Sequence, residues 1–293
     1  MTKSKSVWIP TRRTFLKGTV AAGVGTLFAP FDMVFAAKFP TRNINVVVPT
    51  REGGGADRNL RAFTGVWKNY LKTNFEPGFF PGAAGRVGYE VYMGKRKADC
   101  YNLLFGNMGP EVLNWVVKKP TFNLGDYFYF ARIDADPGII FASQKGKFKT
   151  IDDVIAEGKK RTINVGVSRL AHPASLGALA LGRKTGVKMN LIPLSGGRNT
   201  RAGVATGEVD IGALPSGGIV NRPKSFRIIA IFDEKNPLPQ RMPDAVMINK
   251  HFNMDLPPLI AGARAFAIKT EAVKKYPDRF KILTDTLKKV YSD

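Results

Sequence analysis

The stretch Ile44-Asn45-Val46-Val47-Val48-Pro49-Thr50-Arg51-Glu52-Gly53-Gly54-Gly55-Ala56-Asp57 decides the fold. Val46, Val47 and Val48 form the unbroken β-branched run of a strand covered on both faces. The three glycines let the chain turn through positive φ and bare its N–H groups. Asp57 then opens a helix whose apolar positions Leu60, Phe63, Val66 and Trp67 recur at helical spacing. A helix N-terminus behind a glycine loop suits an anion.

The alternation continues outward. Strands are expected over 45–48, 75–81, 101–107, 127–133, 138–142, 162–167, 188–193, 209–214 and 227–232. Helices are expected over 57–72, from the glycine-rich 82–88 through 93, from 151 onward, and over 174–185, 199–206 and 272–290. Thr150 reads as an N-cap, with Asp152 and Asp153 in the first turn. This order predicts α/β architecture with mostly parallel sheets. The segments before Gly138 and after Lys145 hold similar numbers of strands, which predicts two lobes with a cleft between them. Trp67 and Trp115 read as core residues.

The first 37 residues read as a targeting segment. Thr11-Arg12-Arg13-Thr14-Phe15-Leu16-Lys17 matches the twin-arginine export pattern, and Val34-Phe35-Ala36-Ala37 offers small residues for cleavage. The apolar run between them is short and broken by Gly, Pro30 and Asp32, which argues against a membrane anchor. The reading is therefore periplasmic. Beyond that segment the chain carries 40 basic and 22 acidic residues. A nucleic-acid binder is often this basic, but export argues against one. A solvated basic surface accounts for most of the charge, and a field that steers anions into a cleft is the sharper reading. Cys100 is the only cysteine, so no internal disulfide forms, and His172 and His251 are the only histidines. No metal-ligand spacing results, and no nucleophile elbow marks a Ser168, His172 and Asp210 triad.

Several motifs occur together in order: Val-Pro then Gly-Gly-Gly-x-Asp; Pro81-Gly82-Ala83-Ala84-Gly85-x-x-Gly88; Asp99-Cys100-Tyr101-Asn102-Leu103-Leu104-Phe105-Gly106; and Thr150-Ile151-Asp152-Asp153. Gly166-Val167-Ser168 before His172, Gly196-Gly197 and Gly207-Glu208-Val209-Asp210 follow. Over roughly residues 39–256 the chain resembles the extracytoplasmic solute receptors of tripartite tricarboxylate transporters, the Bug family. The resemblance implies a two-lobe periplasmic binding protein of type II, a Venus flytrap. Residues 38–139 and 250–293 would form one lobe and 140–249 the other, with crossings near 137–142 and 247–258. It implies capture of a small carboxylate and delivery to membrane transporter subunits, by a monomer, with no cofactor and no catalysis.

Carried over residue by residue, the resemblance assigns one clasp to Gly53, Gly54, Gly55 and Asp57, and a second to Gly106, Asn107 and Met108. From the other lobe it assigns Val167, Ser168 and His172, then Ser195 and Gly196, and Asp210. These loops fall at C-terminal strand ends, where α/β sheets bind ligands. The chain departs from the family at Arg51-Glu52, where Pro usually precedes the glycines, at Ala98-Asp99-Cys100-Tyr101, and at Leu194-Ser195-Gly196. Arg51 and Arg169, beside site loops, are candidates for an ion pair with the ligand. Family members usually continue beyond the last helix, which implies a shortened member or a fragment. A sensory receptor for a membrane kinase and an exported enzyme are the alternative readings.

Overall fold

The computed structural model describes residues 38–293, and the export segment lies outside the described residues. In chain order these are β1 (Ile44–Val48), α1 (Gly55–Leu71), β2 (Phe75–Phe79), α2 (Arg86–Lys95), β3 (Asn102–Asn107), α3 (Met108–Val117) and β4 (Tyr127–Arg132). There follow β5 (Asp136–Ser143), α4 (Ile151–Gly158), β6 (Ile163–Val167), α5 (Pro173–Thr185), β7 (Met189–Pro193), α6 (Gly197–Thr206), β8 (Ile211–Pro215) and β9 (Phe226–Ile231). The chain ends with β10 (Val246–Met247), α7 (Ile248–Phe252), β11 (Ile260–Gly262), β12 (Arg264–Lys269), α8 (Thr270–Lys275) and α9 (Pro277–Tyr291).

Two sheets result, and they define two lobes. Lobe 1 has the strand order β2-β1-β3-β12-β4; lobe 2 has β10-β9-β5-β8-β6-β7, with β11 beside β5. The three valines of β1 divide between the two faces of their sheet. Val46 and Val48 pack with Leu60 and Trp67 of α1 and with Leu283 and Leu287 of α9. Val47 packs on the opposite side with Tyr89 and Tyr92 of α2 and with Trp115 of α3. Both tryptophans are core residues, as expected, and Trp67 Nε1 donates to Thr286 Oγ1 at 2.9 Å. In lobe 2, α4 starts with the expected cap: Asp153 N donates to Thr150 Oγ1 at 3.1 Å, and Thr150 N donates to the Asp153 carboxylate at 2.9 Å.

Two expectations are corrected and two elements are added. The sheets are mixed, because β12 runs antiparallel to both β3 and β4, and β5 runs antiparallel to β8 and β9. The strand over 264–269 and the helix α3 were not read from the sequence. The last helix is split, since Pro277 lacks the N–H that would continue α8 and instead starts α9.

The lobe boundaries move as well. The crossings fall at 133–136 and 262–264, not at 139/140 and 249/250. β5 already pairs with the lobe 2 strands from Gly138, and Ile248, Phe252, Met254, Leu256 and Leu259 pack on the lobe 2 core. The two crossing segments are bonded to each other: Ile133 N donates to Arg264 O at 2.8 Å, and Ile260 pairs with Pro137. Arg264 is buried between them. Its backbone N donates to Asp134 Oδ1 at 2.6 Å, and its Nη1 bonds Asp134 and, at 3.2 Å, Asp136. Asn107 fastens the same place from β3, accepting from Ala263 N at 2.9 Å and donating to Ala261 O at 3.2 Å.

Phe266, at the centre of the return strand, is fully buried against Trp67 and Phe105, with ring centroids 5.1 and 4.9 Å away. Truncating it leaves a cavity the sheet cannot close. Phe266→Ala is expected to cost about 3–5 kcal/mol in urea unfolding; a loss below about 1 kcal/mol would show that the strand is not central to lobe 1.

Candidate functional site

Lobe 1 offers the C-terminal ends of β1 and β3 to the cleft, and lobe 2 offers those of β6, β7 and β8. The lobe 1 wall begins with the glycine loop. Gly53 holds φ +75°, a conformation costly for any residue with a Cβ. Its N–H donates to Asp57 Oδ2 at 2.8 Å, while Asp57 Oδ1 accepts from Arg61 Nε at 2.6 Å. Asp57 is thus a buried strut that shapes the loop, with both oxygens committed. The first amides of α1, at Gly55, Ala56 and Asp57, have no carbonyl of their own helix to bond.

The second clasp is built differently from its sequence reading. Gly106 is required because a Cβ there would collide with the hydroxyls of Tyr89 and Tyr129. Those hydroxyls belong to a buried cluster around Glu111. Its carboxylate accepts from Tyr89 at 2.8 Å, from Trp115 Nε1 at 3.3 Å, and from Tyr127 and Tyr129. Burial pushes the Glu111 carboxyl up from its usual range, and the hydrogen bonds from Tyr129, Tyr89 and Trp115 oppose that rise. Asn107 is spent on the crossing segments. Met108 opens α3, its N–H donating to Ala263 O at 2.9 Å, instead of lying in a loop.

From lobe 2, Val167 is the buried end of β6, and Ser168 accepts from Gly196 N through its carbonyl at 3.1 Å. Ser195 is exposed and holds φ +55°, and Gly196 caps α6. His172 is buried and caps α5, its Nδ1 accepting from Ala174 N at 3.2 Å. Burial, then the charges of Arg169 and Arg264, push its pKa down to about 3, so it stands neutral at physiological pH.

Asp210 is not in the cleft. It lies at the level of Asn164, near the start of β6, roughly 10 Å along the sheet from Val167. Arg161 holds it bidentately at 2.9 and 2.7 Å, and Asn164 N donates to it at 2.8 Å. Although burial works against it, these bonds hold its carboxyl below the usual range. The cleft end of β8 is instead the turn Ser216-Gly217-Gly218, which carries a paired-glycine signal after a strand that the sequence reading passed over.

Arg169 spans the lobes. Its Nη1 donates to Ala84 O at 2.5 Å, and no ion pair holds it among the described residues. Burial lowers its pKa, and Tyr89 acts in the opposite sense. With Thr50, Tyr89, Asn107, Glu111 and Asn114 it borders a cavity of about 10 Å³, on the scale of one water molecule. The Thr50 hydroxyl is buried and has no hydrogen-bond partner among the described residues. Arg51, the other candidate, is exposed.

No protein-family model and no curated protein sequence matches the chain. Solved structures do. A TctC solute-binding protein from Polaromonas is 22% identical over 87% of this chain and 88% of that one, with a TM-score of 0.57. The periplasmic binding protein BugD is 18% identical over 87% of this chain and 84% of its own, with a TM-score of 0.75. MatC from Rhodopseudomonas palustris, solved with bound malate, is 19% identical over 87% of this chain and 86% of its own, with a TM-score of 0.73. The likeness is one of fold: the chain has the two-lobe α/β fold of periplasmic binding proteins, as the sequence motifs imply.

His172 gives the site a pH signature. The unfolded chain takes up its proton near pH 6.5, whereas the folded chain resists until about pH 3. Stability from this residue is therefore complete above pH 6.5 and declines as the pH falls toward 3, by at most about 1.4 kcal/mol per unit. His172→Asn keeps a capping side chain without the titration. Urea unfolding at pH 7 and 4.5 is expected to show a smaller acid loss for that variant than for the parent; equal losses would refute the buried neutral histidine.

Proposed function

We propose that the protein is an extracytoplasmic receptor that captures a small organic acid between its lobes and hands it to a membrane transporter of the tripartite tricarboxylate type. Arg169 carries the reading. A guanidinium that crosses the cleft, borders a cavity and has no ion pair among the described residues fits a ligand carboxylate. The unpaired Thr50 hydroxyl and the first amides of α1 add neutral donors on the lobe 1 side. MatC, which is similar in fold and was solved with bound malate, supports the same ligand class.

A cavity of about 10 Å³ is too small for an organic acid, so loading goes with separation of the lobes and capture with their closure. The twin-arginine motif supports a periplasmic location, and the basic surplus supports steering of anions toward the cleft. Binding without catalysis agrees with a neutral, capping His172 and with an Asp210 engaged elsewhere.

Thermal unfolding against a panel of aliphatic and aromatic carboxylates tests the reading. A ligand at 100 times its Kd adds about 2.7 kcal/mol, which for a chain of this size is a Tm rise of roughly 5–10 °C. Arg169→Gln is expected to weaken the responding acid by about 10- to 100-fold, the worth of a charged hydrogen bond. Asp210→Asn is expected to leave the affinity unchanged. If no acid moves the Tm of folded protein, the carboxylate reading is wrong.

A further inference from the structure

Four arginines gather where the lobes meet, two at Gly53 of the glycine loop and two at Gly218 after β8. Arg58 comes from α1 of lobe 1, Arg198 and Arg201 from the start of α6, and Arg222 from the chain after β8. Arg58 Nη1 points at Gly53 O at 3.4 Å, and Arg198 Nη1 lies 3.6 Å from where a Cβ on Gly53 would sit. The two residues thus meet over one glycine from opposite lobes. Arg201 Nη1 lies 3.3 Å from the corresponding point on Gly218, whose carbonyl accepts from Arg222 Nη1 at 2.7 Å.

None of the four takes part in an ion pair among the described residues. The neighbouring carboxylates are already committed, Asp57 to Arg61 and the Gly53 amide, and Asp136 to Arg264 and the Gly217 amide. Their mutual repulsion registers on Arg201, whose pKa is pushed down to about 10 by burial and then by Arg222, Arg58 and Arg198. Even so lowered, Arg201 remains charged near neutrality.

We propose that Arg58, Arg198, Arg201 and Arg222 form a second anion position in the cleft, which takes a doubly charged phosphoryl or phosphono group. Four like charges from two lobes repel one another until an anion lies between them. A single carboxylate offers one charge and two oxygens in a plane. A phosphono dianion offers two charges and three oxygens in different directions, which suits guanidinium forks converging from both lobes. The first amides of α6, behind Gly196, face the same anion sign. The position rests on the cleft being the ligand site, and its ligand is then an organic acid with a phosphono or phosphoryl group at its far end.

The test is calorimetric titration of the purified chain at constant ionic strength, because salt screens such contacts. The probes are methylphosphonate, phosphonoacetate, acetate and malonate. The parent is expected to bind methylphosphonate saturably and phosphonoacetate more tightly than malonate. Arg201→Gln/Arg222→Gln is expected to weaken both phosphonates at least 10-fold, to leave acetate unchanged, and to keep or raise the ligand-free Tm because repulsion is relieved. Phosphonate binding that is absent, or equal in the double variant, overturns the second position. Should carboxylates then still bind and depend on Arg169, the receptor reading stands without it. Should phosphonates bind through Arg201 and Arg222 while no carboxylate binds, the second position stands and the carboxylate reading falls.

Discussion

Everything in the cleft depends on one buried ion cluster. Arg264 bonds Asp134 and Asp136 where the chain crosses between lobes, and Asn59 adds a donor to Asp134 from α1. An isolated buried guanidinium is costly, whereas one that meets two carboxylates is tolerated. Burial lifts the Asp136 carboxyl, Arg264 opposes the rise, and Asp134 adds to it. The cluster ties β12 of one sheet to β5 of the other. It sets how the β1 and β3 ends of lobe 1 face the β6, β7 and β8 ends of lobe 2.

Local signals in the sequence led to most of the framework. The valine run, the glycine triplet and the Thr150 N-cap each act over a few residues, and each forms the element expected of it. The return strand is a different case. Arg264-Ala265-Phe266-Ala267-Ile268-Lys269 is short and ordinary, and its central place comes from pairing with β3 and β4 far away in the chain. Helix α3 begins Met108-Gly109-Pro110, which reads as loop, although proline is well placed in a first helical turn.

Of the candidate site, the loops were legible and the atoms less so. The glycine loop and Ser168 stand at strand ends near the lobe junction, whereas Asp57, Asn107 and His172 serve as internal struts. Asp210 followed a motif to the wrong end of its strand, and the Gly217-Gly218 turn at the right end carried the signal instead. Glu111 and the arginine group were invisible because no spacing links them. Tertiary packing alone brings Tyr89, Tyr127 and Tyr129 to one carboxylate, and Arg58 to three arginines of the other lobe. The two clusters contrast in kind: the carboxylate is surrounded by donors of its own chain, while the guanidinium groups form no ion pair among the described residues.

The paired crossings have a mechanical consequence. The segments at 133–136 and 262–264 run side by side and are hydrogen-bonded to each other, like two knuckles of one door hinge. Such a joint bends about the line through both knuckles and resists torsion about the long axis of the molecule. The lobes then have a single swing coordinate, and a guest between them stops that swing early or late according to its bulk. For the receptor proposed above, solute size then becomes a gape angle.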